Sequence, residues 1–187
     1  MIGSTDVPVT ASPPENAIRD YLYRYQKREV GYAFVVGDLL HYGHLNFLKE
    51  CKKHCSFLIV GVYTDELTES YKRRPIIPFE ERIELIQSLK PVDLVVIVHN
   101  RNCIPMLKRL TKDGWELKYL FHGTDWDPEA DEDLRTSKDF IESIGGRLIQ
   151  PEYFEGVTTT SIIKEILRRY ENGENVIGNQ ETRGSWD

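Results

Sequence analysis

His41 and His44 stand three residues apart, with Gly43 between them, in the stretch Asp-Leu-Leu-His-Tyr-Gly-His at 38–44 that follows the apolar run Tyr-Ala-Phe-Val-Val at 32–36. A neutral imidazole offers one N–H donor and one acceptor, and it changes charge near physiological pH. Glycine allows backbone to approach a ligand where a side chain would block it. A helix beginning at this point adds unpaired amides and positive potential, which suits an anion. Two imidazoles beside such amides are donors aimed at phosphate oxygens. The structural alternative is a pair of helix-start histidines satisfied by nearby carbonyls.

These residues need a scaffold, and the pattern around them supplies one. Strand-like runs at 32–36, 56–63, 92–98, 118–123 and 146–151 alternate with helical periodicity near 43–54, 79–89, 103–112, 132–143 and 160–170. β-Branched runs alternating with helices predict an α/β, Rossmann-like, doubly wound parallel sheet of about five strands, with helices on both faces, in a single domain. In such sheets ligands bind beyond the carboxyl ends of the strands, where His41 and His44 fall. The catalytic domain is assigned to residues 30–170. Residues 1–29 form an N-terminal extension with a mobile Ser/Thr/Pro-rich start and a helix over about 15–28. Residues 171–187 form a flexible, polar C-terminal tail.

Composition narrows the chemistry. The 187 residues suit one domain with a core. The net charge of −6 argues against nucleic-acid binding, so an anionic ligand must be held by a local cluster of donors. No apolar run is long enough to span a membrane, the N-terminus lacks the pattern of a signal peptide, and Cys51, Cys55 and Cys103 offer no disulfide framework. A cytoplasmic protein is expected. Cys51, His54 and Cys55 share one helix, but a fourth metal ligand is missing and buried thiols are the simpler reading.

Four ordered segments resemble the cytidylyltransferase-like nucleotidyltransferases. They are His-Tyr-Gly-His at 41–44, the block Tyr-Lys-Arg-Arg-Pro through Val-Asp-Leu-Val-Val at 71–96, Phe-His-Gly-Thr-Asp-Trp at 121–126, and Phe-Glu-Gly-Val-Thr-Thr-Thr-Ser at 154–161. They look most like the glycerol-3-phosphate, ethanolamine-phosphate and choline-phosphate cytidylyltransferases and the domains associated with phosphonate biosynthesis. The resemblance implies transfer of CMP from CTP to a small phosphorylated alcohol or a phosphonate, with release of pyrophosphate. The acceptor is already nucleophilic, so donors rather than a general base are required.

By resemblance, His41, His44, Lys72 and Arg82 are catalytic. Gly37, Asp38, Gly43, Gly123, Asp125, Thr158, Thr159 and Thr160 hold the nucleotide. Lys72, Arg74 and Trp126 face the acceptor. One threonine would serve as an N-cap in any case, Trp126 is equally suited to plain packing, and Arg73 and Arg74 are equally suited to a solvated basic loop. Mg²⁺ is implied as a companion of CTP, with no protein ligands named. A homodimer is implied as well.

The chain departs from the pattern in two places. Val35 and Gly37 stand at the first and third positions of the usual Gly-x-Phe-Asp start. Tyr153 stands where the related enzymes carry an arginine, so one phosphate donor is missing or supplied elsewhere. Two alternatives stay open: an ATP-dependent adenylyltransferase of the same superfamily, and a nucleotide-binding regulator without turnover.

Overall fold

A computed structural model describes residues 29–178 except 125, 128 and 153. The elements are β1 (Val30–Val35), α1 (Tyr42–His54), β2 (Phe57–Tyr63), α2 (Asp65–Glu69), α3 (Phe79–Gln87), β3 (Leu94–Val98), α4 (Ile104–Lys112), β4 (Leu117–Phe121), α5 (Glu132–Ser143), β5 (Arg147–Ile149) and α6 (Thr159–Glu171). Each expected strand and helix of the domain is present. The addition is α2, a five-residue turn of helix capped by Thr64, where the sequence reads as loop. The expected N-terminal helix lies outside the described residues. Beyond α6, residues 172–178 contain neither helix nor strand.

All five strands are parallel, in the order β3-β2-β1-β4-β5. Alternate side chains on β2 feed two separate cores, and all seven of its residues are buried. Leu58, Val60 and Val62 pack with Leu48 and Cys51 of α1 and Ile83 and Ile86 of α3. Phe57 and Ile59 pack with Leu107 and Leu110 of α4 and Ile141 of α5 on the opposite face. Burial on both faces explains the unbroken apolar strands. The three cysteines are buried and unpaired. Among the described residues no helix is long and apolar enough to cross a membrane.

The chain runs outward from β1 through β2 to β3, then returns to place β4 on the other side of β1. That reversal opens a crevice beyond the carboxyl ends of β1 and β4.

Candidate active site

A cavity of about 580 Å³ occupies this crevice. The loop after β1 contributes Asp38 and His41, the start of α1 Gly43 and His44, and the loop before α3 Lys72 and Arg73. The turn after β4 contributes Gly123 and Trp126, and the start of α6 Thr158, Thr159 and Thr160.

The two histidines build the N-terminus of α1. His41 is its N-cap, and its Nδ1 accepts the Gly43 amide at 3.1 Å. His44 is the third helical residue, and its Nδ1 accepts the His41 amide at 3.4 Å. This is a reciprocal capping box made of imidazoles. Because both Nδ1 atoms accept, the neutral rings carry their protons on Nε2. Burial pushes the His41 pKa down. Burial, the neighbouring His41 and the Lys72 charge bring that of His44 to about 4, against a partial counter-effect from Asp38. Both rings are neutral donors at neutral pH. A Cβ on Gly43 would stand 2.8 Å from both His41 Cε1 and the Val157 carbonyl, so only glycine fits between the ring and the loop before α6.

Asp38 ties the site together. Only 2% exposed, it accepts the amides of Ile76 at 3.0 Å and Ile77 at 2.9 Å and the Arg73 guanidinium at 2.7 Å. Burial alone would push its carboxyl up; these donors reverse that and hold it below the ordinary aspartate value. Its carbonyl accepts Thr159 Oγ1 at 2.9 Å, and the same hydroxyl lies 3.4 Å from His41 Nε2. Gly37 makes the preceding turn at φ +74° and does not line the cavity.

The three threonines divide their roles. Thr158 caps α6, exchanging hydrogen bonds with Ser161 at 2.9 Å in each direction. Thr159 links α6 to the Asp38 loop, and Thr160 lines the cavity as an exposed side chain. Gly123 faces the cavity while its carbonyl, with that of Trp126, accepts the Gln150 amide. Asp125 lies outside the described residues.

Arg82 departs from the expectation of a phosphate contact. It is 0% exposed and lies beneath the cavity. Its guanidinium donates to the Ile77 carbonyl at 3.0 Å, to the Val36 carbonyl, and to Asp65 at 2.5 Å. All three nitrogens are engaged, so this arginine braces the floor. Arg74 does not line the cavity; its carbonyl accepts a hydrogen bond from Arg73.

Sequence reasoning missed Arg101, in the turn after β3. It lines the cavity, pairs with Asp131 at 2.7 Å and Asp133 at 4.0 Å, and stacks 4.9 Å over Trp126 and 5.6 Å over Tyr71. Its position at the carboxyl edge of a predicted strand was the one available signal.

A cytidylyltransferase-like family model matches residues 36–166. The bifunctional protein HldE of Syntrophotalea carbinolica is 32% identical over 161 residues, 84% of this chain and 31% of that protein. The mouse ethanolamine-phosphate cytidylyltransferase is 32% identical over 133 residues, 70% of this chain and 30% of that enzyme. The chain thus spans about a third of these curated relatives. The crystal structure of a lipopolysaccharide core biosynthesis protein from Thermoplasma volcanium superposes with a TM-score of 0.53 at 27% identity, covering 68% of this chain and 97% of that one. With the ordered motifs gathered at one sheet edge, these matches establish that the chain belongs to the cytidylyltransferase-like family of nucleotidyltransferases.

Proposed function

We propose that the protein transfers CMP from CTP to a small phosphorylated alcohol or phosphonate. An acceptor oxygen attacks the α-phosphorus, a new P–O bond forms, and the bond to the β-phosphate oxygen breaks, so that pyrophosphate leaves. The observation that carries this reading is the imidazole capping box. It fixes two neutral Nε2–H donors beside the α1 amides, facing a cavity that the start of α6 also lines. Such donors stabilise charge on phosphorus without the cost of reorganising water. Lys72, exposed at the rim, supplies a mobile point charge. Mg²⁺ enters with the triphosphate as part of the substrate. Among the described residues no cluster of His, Cys, Asp or Glu is arranged to hold a metal of its own.

The mouse cytidylyltransferase supports CTP as donor. ATP is the competing donor, because the resemblance extends to ATP-dependent adenylyltransferases of the same superfamily. The test incubates the full chain with Mg²⁺, CTP or ATP, and glycerol 3-phosphate, phosphoethanolamine, phosphocholine or 2-aminoethylphosphonate, and measures pyrophosphate. Release with CTP and one acceptor is expected, falling about 10²-fold or more in His41→Ala and His44→Ala while circular dichroism stays unchanged. Release with ATP alone makes the protein an adenylyltransferase. Nucleotide binding without release from any pair makes it a regulator.

A further inference from the structure

Tyr153 stands in the sequence where, by the resemblance, related enzymes carry an arginine, and among the described residues the lysines and arginines that line the cavity are Lys72, Arg73 and Arg101. Arg82 is spent beneath the floor and Arg74 lies off the cavity; Arg73 is tied to Asp38, whose side chain is only 3% exposed, whereas those of the partners of Arg101, Asp131 and Asp133, are 16% and 38% exposed. Arg101 remains. We infer that Arg101 and Lys72 form a two-cation clamp on the terminal phosphoryl or phosphonyl group of the acceptor, with Arg101 providing the missing fork. This rests on the proposed transfer reaction and adds the residue that recognises its acceptor.

The geometry supports the assignment in three ways. Arg101 Cζ and Lys72 Nζ each lie 5.6 Å from the centroid of the same Tyr71 ring, so their separation cannot exceed twice that distance. Both side chains also line the same cavity, so a dianion seated there is attracted by both. Second, the Arg101 side chain is set in place before any ligand arrives. Asn100 and Asn102 hold its turn through side-chain bonds to the amides of Asn102 at 3.0 Å and Ile104 at 2.9 Å. Trp126 supports one face, and Asp131 holds one edge through Nη2. Asp131 is itself fixed as the N-cap of α5, accepting the Leu134 amide at 2.9 Å. Little side-chain freedom is left to lose on binding. Third, the Arg101 side chain is 39% exposed on a cavity wall, so it meets a ligand without first being dug out of the core. Asp131 and Asp133 offset its charge, so recognition depends on directed N–H donors, which a tetrahedral oxyanion satisfies better than a single negative point does.

The test measures calorimetric binding of methylphosphonate and, separately, of inorganic phosphate to the full chain, alongside KM for acceptor and for nucleotide. Arg101→Met is expected to weaken methylphosphonate or phosphate at least about tenfold and raise the acceptor KM similarly, with nucleotide KM within about twofold. Arg101→Lys is expected to recover part of the loss, and it carries the comparison alone if the methionine variant does not fold. Which anion binds more tightly tells the phosphonate source from the phosphate ester. Unchanged anion affinity and unchanged acceptor KM in both variants overturn the clamp, as does a wild-type protein that turns over yet binds neither anion. Weakened anion binding in a chain that releases no pyrophosphate from any pair keeps the clamp and removes the transfer reaction.

Discussion

His41 and His44 each spend Nδ1 on the backbone, and Nε2 of His41 lies 3.4 Å from Thr159 Oγ1 on the cavity wall. Protonating Nδ1 would turn an acceptor into a donor facing a donor, so the capping geometry and burial both disfavour the charged ring. The folded pKa of His44, about 4, lies well below the value of about 6.5 for a free histidine. Between those two values the unfolded chain takes up a proton that the folded ring refuses, so stability falls as pH drops through that window. Asp38, also held low, adds its own loss only as pH falls below its ordinary value of 3.8. Glutamine at position 44 keeps an acceptor for the cap but does not titrate. The melting temperature of wild type is therefore expected to drop more between pH 7 and pH 4.5 than that of His44→Gln; equal drops would place the titration elsewhere. The histidines were legible in the sequence because their type and spacing fell after a predicted strand and in order with three further motifs. Their tautomer was not, because it depends on which amides the rings cap.

At the scale of elements, Arg82 is the brace. It joins the start of α3 to the end of β1 and, through Asp65, to α2. Truncation would leave a carboxylate and two carbonyls without their donor. Arg82→Ala is expected to lose about 3 kcal/mol in urea denaturation, and Arg82→Lys to restore little, since an ammonium cannot reach three acceptors in a plane. A stability unchanged by Arg82→Ala would refute the brace. The sequence identified this residue but misjudged its direction. Whether an arginine at a helix start faces ligand or core is decided by distant partners, here Val36 and Asp65, which no local pattern reveals. The short α2 escaped for a related reason, since five residues carry no helical period. Arg101 had neither motif nor period, and its partners Asp131 and Trp126 lie some thirty and twenty-five residues further along the chain.

At the scale of the whole molecule, the doubly wound parallel sheet followed from alternation and the handedness of crossovers, whereas the strand order that opens the cavity depends on how distant strands pair and was not legible in the sequence. What stands apart is α6, which has no buried residue and presents Ile166, Leu167 and Tyr170 to solvent, the last 66% exposed. We propose that this apolar stripe is the surface on which the homodimer implied by the family resemblance forms. Sedimentation velocity of the full chain is expected to show a dimer that Leu167→Glu with Tyr170→Glu converts to monomer. A monomeric wild type would remove the dimer from the proposal.

The central place of β1 has a further consequence. The histidines, Lys72 and Arg101 precede β4, whereas Gly123, Trp126 and the threonines follow the loop that leads into it. A cut at Asp113–Gly114 would therefore leave two pieces, each holding half a pocket and an exposed strand edge matching the other. Catalysis by such fragments would report their reunion, making the reaction a readout of whether one half has found its mate.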